Sequence, residues 1–172
     1  LYKLMQKSSI IGFSRGEKNN AALQVINPAT GETLPDSYVS ASVDEVNRAC
    51  ELADLAKLEM ASLSGVQKGE FLRDLANQID AIVDSIVVIA TLETGLPEGR
   101  IRGETARTSG QLRMFANLVE DGSWVDARID PAIPDRSPLP KPDLRAMLRP
   151  VGPVGVFCAS NFPLAFSVAG GD

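Results

Sequence analysis

Residues 126–143, DARIDPAIPDRSPLPKPD, contain five prolines and divide the chain into two unlike parts. Proline lacks a backbone N–H and has a fixed φ, so this segment can form neither a helix nor the central strand of a sheet. We therefore predict an extended connector that crosses the surface to a different part of the structure. The residues from 42 to the connector follow helical patterns, whereas those after it form apolar runs interrupted by glycine and proline.

The stretch 23–40, LQVINPATGETLPDSYVS, predicts two strands joined by a tight turn. Asn27-Pro28 is typical of a turn start, and Gly31 can adopt the positive φ that closes such a turn. We expect a β-hairpin here.

Three helices are predicted between this hairpin and the connector. Ser42 with Glu45, and Ser64 with Gln67, have the spacing of a capping box, which marks a helix start. Apolar or small residues then recur at helical spacing, which indicates one buried face on each helix. The predicted buried positions are Val43, Val46, Cys50 and Ala53 on the first helix, Leu72, Leu75, Ile79, Ile82 and Ile86 on the second, and Ile101, Thr105, Thr108, Leu112 and Phe115 on the third.

The composition excludes several classes of function. A net charge of −5 argues against a nucleic-acid surface, which needs a clustered positive field. No apolar stretch reaches the roughly 18 residues of a membrane span. The absence of histidine excludes a Ser-His-Asp triad, a Cys-His pair and a His-ligated zinc within this chain. Cys50 and Cys158 form neither a metal motif nor a disulfide framework, so we expect no metal and a reducing, cytoplasmic location.

The residues after the connector predict two strands and the start of a helix. LRAMLRP (144–150) has strand character but ends at a proline, which suits an edge or an interface. VGVFCAS (154–160) is a continuous apolar run, typical of a buried strand in a parallel sheet. Pro163 then marks a helix start. A buried strand that turns sharply into a helix is the geometry of a nucleotide-binding α/β crevice, where ligands lie beyond the carboxyl ends of the strands.

Asn161 lies at this predicted turn, and its side chain could have either of two roles. Its amide offers two N–H donors and no charge, which suits an oxygen that becomes negative during a reaction. An asparagine just before a helix-opening proline is also a good N-cap. The chain has no G-x-G-x-x-G fingerprint and no phosphate-binding G-x-x-x-x-G-K-[ST] loop. The residue patterns alone leave both readings open.

Three stretches together resemble a known family. INPATGE before a capped helix, LETGLPEGRIRGE at the start of the next helix, and RPVGPVGVFCASNFPLAFSVAGGD at the end are similar to the start of an NAD(P)-dependent aldehyde dehydrogenase. The sequence CASNFPLAFSVAGGD resembles that of the 2-oxoglutarate (α-ketoglutarate) semialdehyde dehydrogenase branch, which usually uses NADP. The three landmarks follow the family's order along nearly the whole chain.

The resemblance implies roles for the residues around Asn161. In the family this position holds the oxyanion-hole asparagine. Phe157, Cys158, Ala159 and Ser160 match the strand end that lies along the nicotinamide half of the cofactor, and Phe162 and Phe166 match side chains that line the substrate tunnel. Ala159-Ser160 is often Pro-Trp in the family, so the cofactor contacts here would be smaller. Cys158 is expected to be a buried structural residue and not the nucleophile.

Arg107 is a candidate for substrate selection. Alignment through LRMF places it on the helix face that lines the family's tunnel, where a guanidinium would form a bidentate pair with the distal carboxylate of a semialdehyde acid. The alternative is a surface arginine, because the same helix carries an exposed run of Arg100, Arg102 and Arg113. Both interpretations stay open.

The implied fold is α/β and incomplete, the N-terminal part of an aldehyde dehydrogenase-like fold. It would comprise a hairpin and helical layer (1–125), a Pro-rich connector with an edge or oligomerisation strand (126–150), and the first strand of a Rossmann-type sheet (151–172). In this family the nucleophilic cysteine, the general-base glutamate and the glycine-rich turn lie beyond Asp172. We therefore expect a fragment of a longer enzyme that is inactive by itself.

The resemblance also implies the substrates and partners of the complete enzyme. It would oxidise an aldehyde, such as 2-oxoglutarate semialdehyde, a related semialdehyde or a fatty aldehyde, to a carboxylate with NADP or NAD, and it would be a homodimer or homotetramer. No nucleic acid and no membrane are expected as partners. The alternative is a standalone, non-enzymatic helical interaction module. It is disfavoured because such a module should not end on an apolar strand and a half-built helix.

Overall fold

The computed structural model describes residues 8–17 and 21–169 of the chain. Within them the chain forms three two-stranded antiparallel ribbons and five α-helices. Residues 1–7, 18–20 and 170–172 lie outside the described residues. The first two ranges belong to the predicted unit 1–125, and the third belongs to the predicted unit 151–172.

Two ribbons form the N-terminal part of the structure. They are β1 (Ile10–Ile11) with β2 (Ser14–Arg15), and β3 (Ala22–Ile26) with β4 (Thr33–Val39). The second ribbon is the hairpin that the sequence predicts. Its turn forms because the Asn27 side-chain oxygen accepts a hydrogen bond from the Ala29 backbone N–H at 2.9 Å, and because Gly31 adopts a φ of 75°.

Four long helices follow the hairpin. They are α1 (Val43–Ser62), α2 (Gly65–Ala81), α3 (Val83–Thr94) and α4 (Glu98–Asp121). Both predicted capping boxes are present, since Ser42 and Ser64 each accept a hydrogen bond from the backbone N–H three residues on. Glu45 and Gln67 in turn accept one from the backbone N–H of the cap. The capping motifs therefore fix the starts of α1 and α2.

The second predicted helix is two helices in the structure. The helical backbone breaks at Ile82, where φ is −112° and ψ is 13°, and α2 and α3 are bent by 65° at this break. The bend lets both helices pack against α4. Within the described residues no single helix has the length and apolar character of a membrane span, although α2 and α3 together meet those two criteria across their bend.

Helix α4 supplies most of the buried side chains in the described part of the chain. They are Ile101, Glu104, Thr105, Thr108, Ser109, Leu112 and Ala116. The threonine and serine hydroxyls donate to carbonyl oxygens one turn earlier, as Thr105 does to Ile101 at 2.9 Å, so their burial leaves no hydroxyl unpaired. The predicted face is confirmed for four of its positions, whereas Phe115 is 40% exposed.

Helices α2 and α4 approach so closely that two positions on α2 have no room for a side chain. A Cβ at Gly65 would overlap the Val119 carbonyl oxygen, and a Cβ at Gly69 would overlap the Glu120 side chain. The carbonyl belongs to the backbone and cannot rotate away. The distance between these helices therefore depends on glycine at position 65.

We expect Gly65→Ala to lower the free energy of unfolding by about 1–3 kcal/mol, because the new methyl group would push α2 away from the backbone of α4. Gly103→Ala is the control. This glycine is in the interior of α4 with nothing within 4 Å of its would-be Cβ, so alanine should raise the stability by about 0.5–1 kcal/mol through helix propensity alone. Urea unfolding of both variants measures the two effects, and equal effects at the two positions would contradict the close approach.

Two ion pairs join the exposed sides of α2 and α4. Arg73 pairs with Glu120, and Arg113 pairs with Asp80 at 2.7 Å. The Arg73 guanidinium, by hydrogen bonding, holds the pKa of Glu120 below its ordinary value. The pKa of Asp80 is lowered first by the Ser109 hydroxyl and then by Arg113. Both carboxylates therefore favour the packed arrangement only while they are ionised.

The lowered pKa of Glu120 makes the Arg73 pair sensitive to acid. A carboxylate whose pKa is lower in the folded state stabilises that state above its unfolded pKa, about 4.3 for glutamate, and this stabilisation is lost as the pH falls through the folded pKa. We expect Arg73→Met to be less stable than the wild type at pH 7, and the difference to shrink in acid below that value. Free energies of unfolding measured across this pH range test the effect.

Arg48→Met is the control for this pH series. It removes the same charge from the exposed Arg48–Glu51 pair within α1, whose atoms are 3.4 Å apart. Exposed pairs of this kind contribute little, so its stability should stay near that of the wild type. If the difference in free energy of unfolding between Arg73→Met and the wild type stays constant as the pH falls, the Arg73–Glu120 pair does not cause it.

The predicted buried face of α1 is wrong. No residue of α1 is buried within the described part of the chain; Val43 is 76% exposed, and Cys50, expected to be a small core residue, is exposed as well. Helical spacing reports that a face is apolar, but burial also needs an element that covers the face. On α2 the buried residues are Gly69 and Ala76 and not the larger predicted ones, because this helix meets α4 through small residues.

The Pro-rich segment folds back as a third ribbon. Strand β5 (Arg128–Asp130) pairs with β6 (Leu144–Ala146), and an isolated bridge joins Ile133 to Lys141. The five prolines lie between the paired strands, where no ladder hydrogen bond is needed from them. The predicted edge strand at 144–150 is thus present at Leu144–Ala146, with all three of its residues exposed.

The run at 154–160 differs from its prediction as a buried strand. Residues 151–158 have no regular secondary structure, and Val154 and Phe157 are 71% and 94% exposed. A buried parallel strand needs hydrogen-bonded strands beside it, and the described residues pair with it nowhere before Ala159. The short helix α5 (Ala165–Ala169) then follows the predicted helix start at Pro163.

Candidate functional site

The candidate site lies where the first half of α4 meets the turn before α5. Gly95, with a φ of 69°, ends α3 in the left-handed conformation, and α4 begins directly after Pro97. This start directs the early turns of α4 toward residues 159–164, and α4 packs against α5. The turn itself is closed by a hydrogen bond from the Phe162 backbone N–H to the Ala159 carbonyl at 3.1 Å.

Phe162, Phe166 and Arg100 form a stack at this site. The two rings are stacked with their centroids 4.9 Å apart, and the Arg100 guanidinium lies over the Phe162 ring at 4.3 Å from its centroid. A guanidinium over an aromatic face is attracted by the negative charge of the ring face. The structure therefore brings together the two phenylalanines that the sequence analysis selects, and it adds an arginine that had been assigned to a solvated surface.

Glu104 is the site residue that the sequence analysis missed. Only 4% exposed, it accepts hydrogen bonds from Arg100 Nε at 2.9 Å and from the Leu164 backbone N–H at 3.3 Å, one with each carboxylate oxygen. A buried carboxylate needs such partners, because burial removes its hydration. A signal was present: Glu104 lies three residues after Ile101 and four before Thr108, on the stripe predicted to be buried.

Asn161 is exposed and lies in the turn between Ala159 and Phe162. Its backbone carbonyl accepts a hydrogen bond from Arg100 Nη2 at 3.4 Å, and its side-chain amide has no hydrogen bond to any described residue. The alternative N-cap interpretation is not supported, because α5 begins only at Ala165 and Glu104 accepts the Leu164 N–H. The amide is thus available to a ligand, and its oxyanion role stays a prediction.

The residues predicted to contact the cofactor do not form a closed cleft within the described residues. Phe157, Cys158 and Ser160 are exposed, and Ala159 is half-buried. The prediction that Cys158 is buried is therefore wrong here, for the same reason as for the strand that carries it: no described strand covers this segment. Their proposed role against a nicotinamide stays a prediction.

Arg107 lies on α4 three residues after Glu104 and is exposed. This position is on the same half of the helix as Arg100. Pairing of Arg107 with a substrate carboxylate stays a prediction.

A sequence model of the aldehyde dehydrogenase family matches residues 14–170, and the chain therefore belongs to this family. It is 46% identical over 165 residues to alpha-ketoglutaric semialdehyde dehydrogenase 2 of Azospirillum brasilense, covering 95% of this chain and 31% of the relative. It is 43% identical over 162 residues to alpha-ketoglutaric semialdehyde dehydrogenase of Acinetobacter baylyi, covering 94% and 31%. The resemblance seen in the sequence is confirmed.

The fold agrees with this assignment. An NADP dependent enzyme of E. coli with a solved structure matches with a TM-score of 0.77 and 23% identity, over 94% of this chain and 32% of that chain. At this identity the likeness shows the fold alone. An aldehyde dehydrogenase of Brucella melitensis matches with a TM-score of 0.76 and 24% identity, over 95% of this chain and 32% of that chain. The chain thus has the mixed helix and strand fold of aldehyde dehydrogenase structures, and it spans about a third of the length of the curated relatives that it matches.

Proposed function

We propose that the chain is the N-terminal part of an enzyme that oxidises 2-oxoglutarate semialdehyde, or a closely related semialdehyde, to the carboxylate with NADP or NAD. The observation that carries this proposal is identity of 46% and 43%, over nearly the whole chain, to two relatives named alpha-ketoglutaric semialdehyde dehydrogenase. The names of these two relatives suggest the substrate. The standalone interaction module is disfavoured, because the family match extends over 14–170 and includes the apolar C-terminal run.

In the proposed reaction Asn161 stabilises the substrate oxygen. A cysteine thiolate of the complete enzyme would attack the aldehyde carbon, and the carbonyl oxygen would then carry negative charge. The Asn161 amide can donate an N–H hydrogen bond to that oxygen without giving up a proton. Its exposure and its lack of a side-chain partner among the described residues support this role.

NADP or NAD would supply the hydride acceptor. Phe157, Cys158, Ala159 and Ser160 are the residues proposed to lie against it. The exposure of Phe157, Cys158 and Ser160 leaves this stretch accessible to a flat ring, which fits such a contact.

We also propose a homodimer or homotetramer for the complete enzyme, in the cytoplasm. Strand β6 supports subunit pairing, because it belongs to a ribbon of only two strands and its second edge has no partner strand among the described residues. The two cysteines, both free, support a reducing location.

Asn161→Ala in the full-length enzyme tests the central role. Removing one such donor typically costs about 2.7–4 kcal/mol of transition-state stabilisation, so kcat should fall about 100- to 1,000-fold with a small change in KM. Steady-state NADPH formation from the semialdehyde measures this. Asn47→Ala, at an exposed position on α1, is the control and should keep the wild-type rate. A kcat of Asn161→Ala within a few-fold of the wild-type value would contradict the proposed role of Asn161.

Arg107→Met tests substrate selection. If the guanidinium pairs with the distal carboxylate, KM for an acidic semialdehyde should rise about 10- to 100-fold, the range of a charged hydrogen bond, while KM for a neutral aldehyde of similar length changes little. Arg102→Met is the matched control, since it removes the same charge from α4 at a residue paired with Glu98 and Asp84. Equal changes for both substrates in Arg107→Met would contradict the role.

A further inference from the structure

Glu104 is a buried charge that the proposed reaction does not use. It is 4% exposed on α4, and no other acidic side chain in the described part of the chain is buried. A carboxylate in such a position loses its hydration, and its hydrogen bonds must replace that loss. The hydrogen-bond partners of Glu104 therefore indicate the role of this buried carboxylate.

Both oxygens of Glu104 act on the turn 159–164. Oε2 accepts the Leu164 backbone N–H at 3.3 Å and holds the end of the turn directly. Oε1 accepts Arg100 Nε at 2.9 Å and orients the guanidinium. The guanidinium in turn donates to the Asn161 carbonyl at 3.4 Å and lies over the Phe162 ring. One carboxylate thus restrains the backbone on both sides of Phe162-Pro163.

We propose that Glu104 is a positioning residue for Asn161. This inference rests on the proposed function, in which the Asn161 amide holds the substrate oxygen. Because no described side chain or backbone group bonds that amide, its direction is set by the backbone that carries it. Glu104 and Arg100 fix that backbone, and neither of them needs to touch the substrate.

The experiment compares Glu104→Gln with Glu98→Gln in the full-length enzyme. Both glutamates pair with an arginine on α4 four positions away, Glu104 with Arg100 at 2.9 Å and Glu98 with Arg102 at 2.7 Å, but only the first pair reaches the turn. A misplacement of about 1 Å can cost about 100-fold in rate, so kcat of Glu104→Gln should fall by up to this factor with KM little changed. Glu98→Gln should match the wild type.

A double variant separates positioning from a general loss of stability. If Glu104 acts through Asn161, adding Glu104→Gln to Asn161→Ala should lower kcat no further. A multiplicative loss in the double variant, or an unchanged kcat in Glu104→Gln alone, overturns the inference. If Glu104→Gln does not fold, Arg100→Met is measured in its place, and a wild-type kcat in that variant overturns the inference equally.

Amide hydrogen exchange at Leu164 gives a readout that does not require activity. Exchange should be faster in Glu104→Gln than in the wild type, because the bond to Oε2 is weakened, and unchanged in Glu98→Gln. If the wild-type enzyme does not oxidise aldehydes, the proposed function fails, and the exchange rates still decide whether Glu104 holds the turn. Equal exchange in Glu104→Gln and the wild type overturns the inference.

Discussion

The close approach of α2 and α4 is the constraint on which the rest of the structure depends. A Cβ at Gly65 would overlap the backbone of Val119, so the backbones of the two helices come nearly into contact there. This leaves α4 with one face sealed against α2 and its first turns directed toward residues 159–164. The ion pairs of Arg73 and Arg113 fasten the exposed sides of the same interface. The candidate site thus lies on a helix that is packed against α2.

The polar character of the buried face of α4 connects this packing to the site. Thr105 and Thr108 donate to carbonyls of their own helix, and Ser109 does so besides its hydrogen bond with Asp80, so these hydroxyls can be buried. Glu104 is different, because a carboxylate cannot bond a carbonyl oxygen and needs donors. It finds them in Arg100 and in the backbone of the turn. The only buried carboxylate in the described residues is therefore also the link between the helical layer and the segment that carries Asn161.

Local signals predicted the structure well where the interaction is local. The capping boxes at Ser42 and Ser64 and the turn at Gly31 involve residues three or four apart, and each is present. Signals failed where burial depends on a distant element. Cys50 and Phe157 lie in apolar patterns but are exposed, because the described residues do not cover them. The break at Ile82, on either side of which a helix packs against α4, was not predicted from the helical spacing.

The site followed the same rule. The resemblance in sequence selected Phe162 and Phe166 as candidate substrate residues, but it did not predict that their rings stack. The contacts of Arg100 and Glu104 with the turn join residues about sixty positions apart, and helical periodicity carries no information about such a pair. An acidic residue on a stripe otherwise predicted to be buried was the one available signal.

The bare apolar run at 151–158 has a consequence for how the protein is made. The relatives are about three times as long as this chain, so a protein of their length would still be in synthesis when this run leaves the ribosome. At about 5–20 residues per second, the remaining two thirds take on the order of tens of seconds. During that interval Val151, Val154 and Phe157 have nothing from the described residues to shield them. Apolar surface that stays exposed during synthesis favours aggregation of the unfinished chain.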